Sequence, residues 1–576
     1  MRTLHRRSPL KAITASQKAR DIIDPLIPGL LESKKVSDLA ELPAGWALEV
    51  ILGKDDERLQ QLFDQIEGIA DPRPPLPTAE VIEPSTSYEP DEVQLASAEV
   101  SFSNTGEVNR PIEIVFSGPS HGNPFVDVDL FAEFTSENNK IKVGGFYDGA
   151  GRYVIRFLPP AAGQWQFRTT STARSLSGHE GIVDVIPGDA RGPVKVADQF
   201  HFEYADGTPF APVGTTAYAW IHQSEELMDQ TVTSLKDAPF NKIRMCVFPK
   251  HYIYNSNEPD YFVWERGSDG VFDFTRFDVE FWRRLEQRLR QLDELGIQAD
   301  LILFHPYDHW GFANLPAAVD DRYLRYITRR LSAFPNVWWS LANEYDLLLD
   351  KTVADWNRYA ALIGEEDYAN HLLSIHNWLE PWDFSSPWAT HCSVQRGDQL
   401  EVIDQWRKQW NKPVVMDEIG YEGDLDQGWG NLTSGEFVDR FWQIMLRGGF
   451  ATHGETFWEP DDVIWWSKGG ILHGDSPARI QFLESIREAA PTKQINPLPS
   501  DWDAMSGGIA GEYELIYFGN HRPKFRDVSI PSGMSAKIDV IDAWNMTITP
   551  VPGVHTGMAH VDLPARPYQV IRLRRA

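Results

Sequence analysis

The fold is decided by one segment, Arg325-Tyr-Ile-Thr-Arg-Arg-Leu-Ser-Ala-Phe-Pro-Asn-Val-Trp-Trp-Ser-Leu-Ala-Asn-Glu-Tyr-Asp346. The spacing of apolar residues in its first half predicts a helix over 320–334. The short apolar run that follows, Val337 to Glu344, is typical of a buried strand and ends on polar residues. A helix followed by a buried strand is the repeating unit of a parallel α/β sheet.

Eight such apolar runs alternate with helical segments, which predicts a (β/α)8 TIM barrel over residues 195–490. A second clear helix is predicted over 278–295. The runs are Ala211 to Tyr218, Asn241 to Pro249, Gln298 to Pro306, Val337 to Glu344, Leu372 to Asn377, Trp388 to Gln395, Pro413 to Ile419 and Ala451 to Trp458.

Different patterns flank this barrel and predict a multidomain chain that combines α/β and all-β regions. Residues 1–75 show helical spacing and form a helical leader, and the proline-rich stretch 76–92 is a linker because proline interrupts helices and central strands. Short alternating runs over 93–190 and again over 500–576 predict an N-terminal and a C-terminal β-sandwich.

Composition limits the classes of partner. The 576 residues contain 54 Lys plus Arg and 83 Asp plus Glu, a formal charge of −29. Such a surface repels phosphate backbones and anionic lipids, so we expect no nucleic acid and no membrane partner, and a neutral ligand. The aromatic share of 12% offers flat rings on which sugars can stack. Assembly into a homo-oligomer stays open.

The start of the chain bears on its location. It has basic residues without the apolar stretch of a signal peptide, and no stretch of about 20 apolar residues follows. We therefore expect a cytoplasmic location.

Two carboxylates mark the predicted active site. In such a barrel the reacting groups lie where the strands end, and runs four and seven end on Glu344 and Glu418. Strand alternation puts Glu344 on the face of Ser340 and Ala342, and Glu418 on the face of Val414 and Met416. Both glutamates can therefore point inward. A pair of carboxyl groups facing each other across the barrel mouth is what glycoside hydrolysis requires.

These residues carry a family resemblance. The segment Arg325 to Asp346 and the segment Val414-Val-Met-Asp-Glu-Ile-Gly420 resemble the fourth and seventh strand regions of glycoside hydrolase clan A. Within that clan the barrel looks nearest to apiosidase-like enzymes. Gly145-Phe-Tyr-Asp-Gly149 and Val540-Ile-Asp-Ala-Trp544 resemble uncharacterised β-domains found before and after such barrels.

The resemblance implies a role for each matching residue. Glu344 would be the acid/base of a retaining enzyme, Glu418 its nucleophile, and Asn343 the group that holds the sugar hydroxyl beside the anomeric carbon. Arg244 matches the basic residue that keeps the nucleophile ionised, and Trp458 matches an aromatic platform beneath the sugar.

Other strand-end residues are candidates for contacts with the sugar. Many clan members place a tyrosine late in strand six to hydrogen-bond the nucleophile, and run six has none, so His391 is the candidate substitute. The acidic cluster Glu459, Asp461 and Asp462 matches no calcium-loop spacing, and we predict no metal and no cofactor. The remaining candidates for sugar contacts are His305, His376, Tyr218, Trp220 and His222.

Three readings remain. The favoured one is a retaining glycoside hydrolase that cleaves a neutral oligosaccharide or glycoside by double displacement. Exo action is expected because a cytoplasmic enzyme meets short imported saccharides. The alternatives are a catalytically inactive carbohydrate-binding barrel, which would lose one glutamate, and a Schiff-base enzyme using Lys250.

Overall fold

A computed structural model describes residues 2–459 and 463–576. The chain begins with five short helices around a small apolar core of their own, which includes Leu10, Leu48 and Leu62. This helical region contacts the barrel through the rings of Trp46 and Trp378, whose centroids lie 5.0 Å apart. The helices are Leu10–Ala15, Gln17–Leu26, Lys34–Asp38, Ala44–Leu52 and Glu57–Ile66.

No helix or strand occurs over residues 67–98, the part of the chain that holds the proline-rich stretch. Eight strands follow and share one apolar core. Phe102 of the first strand contacts Phe167 of the seventh, with ring centroids 5.0 Å apart, so strands distant in the sheet order approach each other. Their assignment as a sandwich stays a prediction. The strands are Glu99–Phe102, Thr105–Glu107, Ile112–Ser117, Leu130–Thr135, Lys140–Tyr147, Arg152–Phe157, Gly163–Ser171 and Glu180–Ile186.

The predicted barrel is confirmed as a curled sheet of eight parallel strands. Its neighbours pair in register from strand to strand, and the parallel bridge between His376 and Ser393 links strands five and six. The strands are β1 Val213–Thr216, β2 Lys242–Cys246, β3 Gln298–Phe304, β4 Val337–Ala342, β5 Leu373–Ser374, β6 Cys392–Gln395, β7 Val414–Glu418 and β8 Phe450–His453.

Over the described part of the barrel, seven helices of nine or more residues surround these strands, and a one-turn helix, Trp465–Lys468, lies between β8 and the last of them. The helices predicted over 278–295 and 320–334 occur as Val279–Glu294 and Ala317–Leu331. Residues 375–391, between β5 and β6, contain no helix, and this long connection forms part of the barrel mouth. The helices are α1 Glu225–Asp237, α2 Val279–Glu294, α3 Ala317–Leu331, α4 Val353–Glu366, α5 Val402–Trp410, α6 Ser434–Leu446 and α7 Ser476–Glu488.

The amino end of the barrel is covered by a small sheet of three strands, Val194–Ala197, His201–Tyr204 and Pro209–Phe210. Phe202 and Phe210 of this sheet pack against Trp338 and Val415 inside the barrel. The interior is therefore filled from below, and reacting groups must lie at the opposite, carboxyl end.

A second group of strands ends the chain. Six of the eight form one sheet and two form a separate pair, and most of their buried apolar residues make a third small core. The strands are Asn496–Pro497, Met505–Ile509, Tyr513–Tyr517, Phe525–Ser529, Ala536–Asp542, Thr547–His555, Met558–Asp562 and Gln569–Arg575. The sandwich assignment of this region also stays a prediction.

Within the described residues, no helix has both the length and the apolar character needed to cross a bilayer. Asp461 and Asp462, two members of the acidic cluster considered for calcium, lie outside the described residues.

Candidate active site

Glu344 lies directly after β4, and its backbone adopts the left-handed conformation with φ of 52°. A non-glycine residue pays a steric cost for this conformation, which is common at functional sites. The side chain is buried and accepts a hydrogen bond from the hydroxyl of Tyr307. Burial and the nearby charge of Glu418 raise the pKa of Glu344 to about 8. This carboxyl group therefore holds a proton at neutral pH.

Glu418 ends β7 at a register shift. Val394 of β6 pairs with Met416, and the next residue, Gln395, pairs with Glu418, so one residue of β7 is extra. Val414 and Met416 pack outward in the core shared with the helices, so strand alternation alone does not bring Glu418 into the mouth. The irregularity turns Glu418 into the barrel mouth although its strand face is the outer one.

The carboxylate of Glu418 is held by a phenol hydroxyl and a cation. Its Oε1 accepts a hydrogen bond from the hydroxyl of Tyr218 and lies 3.9 Å from Nη1 of Arg244. Burial and the charge of Glu418 raise the pKa of Tyr218 far above its usual value, so the phenol stays protonated and donates. Tyr421 also lies against Glu418, and the pKa of Tyr421 is raised by burial and by the charge of Glu418.

Asn343, the residue before Glu344, shares two partners with Glu418. Its Oδ1 lies 3.2 Å from the hydroxyl of Tyr218 and accepts a hydrogen bond from Nη2 of Arg244 at 3.4 Å. The residue before Glu344 is therefore fixed by the same two side chains that contact Glu418. Such a shared network holds Asn343 and the carboxylate of Glu418 in one geometry.

Beneath the site the barrel interior contains paired charges. Nζ of Lys242 lies 2.9 Å from Asp300 and 2.6 Å from Asp417, and Nε of Arg244 lies 3.5 Å from Asp300. Asp417 also accepts hydrogen bonds from Ser393 at 2.5 Å and Thr452 at 2.8 Å. Lys242 and Arg244 lower the pKa of Asp417 despite its burial. The positive charges of Lys242 and Arg244 are thus balanced by the carboxylates of Asp300 and Asp417, without Glu418.

Lys250 is a buried cation beside both glutamates. Its Nζ lies 3.7 Å from the ring centre of Tyr218, 4.3 Å from that of Tyr307 and 4.7 Å from that of Tyr252. Burial lowers the pKa of Lys250, although Glu344 and Glu418 act in the opposite direction. Aromatic faces stabilise a cation at these distances.

Two predicted histidines lie near this centre. His376 is fully buried, and its Nε2 lies 4.0 Å from Oε1 of Glu418. Burial and Arg244 keep the pKa of His376 well below its usual value, so the ring is neutral. Nε2 of His305 lies 3.1 Å from the carbonyl oxygen of Phe248, and burial lowers the pKa of His305 to about 3. His305 is thus held by the main chain.

The structure contradicts three predicted contacts with the sugar. Trp220 is fully buried in the layer between strands and helices, where its Nε1 donates to the sulfur of Met245. His222 stacks on Phe281 of α2. His391 contacts Phe202 and Trp338 at the closed end of the barrel, so it cannot replace a tyrosine beside Glu418.

Trp458 lies at the rim of the mouth with 49% of its surface exposed. Its ring centre is 6.0 Å from that of Tyr254, and its main-chain N–H donates to Asp424 at 2.7 Å. An exposed indole beside a buried aromatic cluster is accessible to a ligand, and its role as a sugar platform remains a proposal.

Several residues of the site were not indicated by sequence patterns. Tyr307, Tyr252 and Trp466 lie in connections after the strands, where periodicity does not indicate direction. Tyr421 lies three residues after Glu418, and the next two residues, Glu422–Gly423, form their own short pairing with Glu455–Thr456 of the eighth run. The concentration of tyrosine just after strand ends two, three and seven was the available signal.

Three family models match the chain. The apiosidase-like catalytic domain matches residues 197–469, and two domains of unknown function, DUF5060 and DUF5605, match residues 106–172 and 502–574. No curated protein matches the chain.

Solved structures extend this comparison. A "putative glycoside hydrolase" from Bacteroides vulgatus ATCC 8482 shares 37% identity over 82% of this chain and 100% of that one, with a TM-score of 0.78. A glycoside hydrolase family 5 protein from the same organism shares 16% identity over 67% of this chain and 94% of that one, with a TM-score of 0.53, and shows the fold alone. The chain belongs to the glycoside hydrolases and carries an apiosidase-like catalytic domain.

Proposed function

We propose that this glycosidase is a retaining enzyme in which Glu344 is the acid/base and Glu418 the nucleophile. One observation carries the proposal: two buried carboxyl groups at one barrel mouth have opposite surroundings. The pKa of Glu344 is raised to about 8, whereas Glu418 lies beside Arg244 and accepts a hydrogen bond from Tyr218. Surroundings that separate two carboxyl groups in this way assign the acid and the base.

The reaction follows from these protonation states. Glu344 donates its proton to the glycosidic oxygen while a carboxylate oxygen of Glu418 attacks the anomeric carbon, so the bond to the leaving group breaks as the ester to Glu418 forms. Glu344, now ionised, then takes a proton from water, which attacks the same carbon and releases Glu418. Two inversions give net retention.

The negative charge of the nucleophile has fixed partners in this site. Tyr218 and Arg244 stabilise the ionised nucleophile before attack and after release. Asn343 is held by both side chains, and we propose that its amide group contacts the sugar hydroxyl next to the anomeric carbon. Donors fixed in advance contribute to catalysis because they need no reorganisation during the reaction.

We propose a neutral oligosaccharide or glycoside as the substrate and exo action on it. The charge of −29 disfavours polyanionic sugars. Glu344 and Glu418 expose only 5% and 7% of their surface, which supports a recessed position of the reacting groups. A recess accepts the end of a chain more readily than its middle.

Lys250 is a specific reason to test Schiff-base chemistry as well. A desolvated lysine at a strand end can form an imine with a carbonyl substrate. Here, however, the cation lies among tyrosine rings that hold the two glutamates. The inactive carbohydrate-binding barrel would lose one of the two glutamates, and this chain has both.

The test is a panel of 4-nitrophenyl glycosides that spans α and β anomers of hexoses, pentoses and furanosides, assayed with the wild type and Glu418→Ala. Release of 4-nitrophenol by the wild type alone would support hydrolysis and identify the sugar. The proposal would be overturned if no glycoside of the panel released 4-nitrophenol and Lys250 became covalently labelled after treatment with a carbonyl compound and borohydride.

A further inference from the structure

Three potential metal ligands lie together outside the catalytic pair. They are Glu422 in the connection after β7, His453 at the end of β8, and Glu455 two residues later, and all three are buried. One ligand atom from each lies within 4.8 Å of the other two. None of these residues contacts Glu344 or Glu418 in the hydrogen bonds or ion pairs of the described chain.

The two carboxylates accept hydrogen bonds from main-chain N–H groups and from the hydroxyl of Ser434. Glu455 accepts a hydrogen bond from the N–H of Gly474 at 2.9 Å, and Glu422 accepts those of Asp475 at 2.9 Å and Ser476 at 3.1 Å, at the start of α7. Over residues 2–459 and 463–576, no lysine or arginine forms an ion pair with either carboxylate. Two buried carboxyl groups this close together are costly when both are ionised, and a bound cation would remove that cost.

His453 supplies an independent observation. The side chain is fully buried, and its Nδ1 lies 3.0 Å from the hydroxyl of Thr215. Its Nε2 is 3.9 Å from Oε2 of Glu455 and has no hydrogen-bond partner in the described part of the chain. A buried ring nitrogen without a partner is rare, and this one is directed at the carboxylate pair.

We propose that Glu422, His453 and Glu455 bind a divalent transition metal ion, with Zn²⁺ the best match. Imidazole nitrogen together with carboxylate oxygen is a usual ligand set for zinc, whereas calcium and magnesium prefer oxygen ligands in larger numbers. Bonds of about 2.0–2.2 Å would draw the three ligand atoms closer together and leave a fourth position for water. The contact between Nδ1 and Thr215 is the kind of outer hydrogen bond that orients a ligating histidine.

The position of this site indicates a structural role. Glu422 follows Tyr421, which lies against Glu418, and Glu455 lies three residues before Trp458. An ion here would connect the loop after β7, the end of β8 and the turn before α7. It would therefore fix the side of the mouth that carries Tyr421 and Trp458.

The experiment measures metal directly. The full chain is treated with a chelator, dialysed against micromolar Zn²⁺, and analysed by mass spectrometry of the metal and by thermal unfolding. His453→Asn removes Nε2 while its amide can still reach Thr215. The matched control is His391→Asn, a buried histidine whose Nδ1 lies 3.0 Å from the hydroxyl of Thr390. Glu455→Gln is a second variant that retains an acceptor for the N–H of Gly474.

We expect about one zinc ion per wild-type chain, a higher Tm with zinc, and affinity lowered by about tenfold or more in His453→Asn and Glu455→Gln but not in His391→Asn. Glu418→Ala should retain the zinc, because the ion does not depend on the catalytic pair. A wild type that binds no zinc and shows no change in Tm would overturn the proposal and assign the carboxylates a shared proton. Equal zinc binding by His453→Asn would overturn it as well.

Discussion

The hydroxyl of Tyr218 donates a hydrogen bond to Oε1 of Glu418 and also lies 3.2 Å from Oδ1 of Asn343. Tyr218 was expected to contact the sugar, and strand six contains no tyrosine that could donate to the nucleophile. In the structure, the tyrosine that donates to Glu418 is Tyr218, which follows β1. A phenol in this position can stabilise the carboxylate when Glu418 leaves the sugar.

Tyr218→Phe should lower kcat/KM by about 10- to 100-fold, since a hydrogen bond to a charged group contributes about 1.5–3 kcal/mol. Tyr254→Phe is the matched control, because Tyr254 contacts Trp466 and Trp458 without bonding to either glutamate. Initial rates on the glycoside identified by the panel provide the measurement. Equal rates in Tyr218→Phe and the wild type would remove the phenol from the mechanism.

The pH profile should show a basic limb near pH 8. Glu344 acts as the acid only while protonated, so kcat/KM falls as pH rises through its pKa of about 8. The hydrogen bond from Tyr307 favours the ionised form and lowers this pKa. Tyr307→Phe should therefore move the basic limb to higher pH.

Tyr252→Phe is the control for this shift, because the hydroxyl of Tyr252 donates to Ser467 at 2.7 Å and not to Glu344. The pH of its basic limb should differ from that of the wild type by less than the pH of the limb in Tyr307→Phe does. A limb that moves to lower pH in Tyr307→Phe would show that the sign of this coupling is wrong.

Asp417→Asn should lower the free energy of unfolding by about 3–5 kcal/mol, because it leaves Lys242 and Arg244 buried with one carboxylate fewer. Asp404→Asn, which breaks a partly exposed pair with Arg447, should change the free energy of unfolding by no more than about 1 kcal/mol. Urea unfolding followed by circular dichroism measures both values. Similar losses in the two variants would mean that the interior network contributes little.

Trp458→Ala should raise KM by several-fold to about tenfold with a smaller change in kcat, if the exposed indole stacks on the sugar. Trp502→Ala is the control, since Trp502 is 94% exposed in the C-terminal region and far along the chain from the barrel. An unchanged KM for Trp458→Ala would assign this ring to the rim alone.

The barrel and its two glutamates could be predicted because apolar runs mark strands and polar residues mark strand ends. The direction of Glu418 could not, because β7 is buried on both faces and shows no alternation that separates Val414 from Val415. The extra residue before Glu418 is set by pairing with β6, which local sequence does not indicate.

The surroundings of the glutamates were less accessible to prediction. Lys250 follows β2, and its direction depends on long-range packing against Tyr218 and Trp466. Tyr307 follows β3 and packs against Tyr252 and Lys250. His391 and Trp220 have the residue types of sugar contacts, but His391 lies at the closed end of the barrel and Trp220 lies in the layer outside the strands. Residue type alone does not separate the open mouth from either place.

The most direct test of the assigned roles is azide rescue of two variants, with the configuration of the product determined by NMR spectroscopy. Glu418→Ala should lose most turnover and form a glycosyl azide of inverted configuration, because azide attacks in place of the nucleophile. Glu344→Ala should form a glycosyl azide of retained configuration, because azide attacks the ester on Glu418. The opposite pair of configurations, or near-native hydrolysis by both variants without azide, would contradict the account.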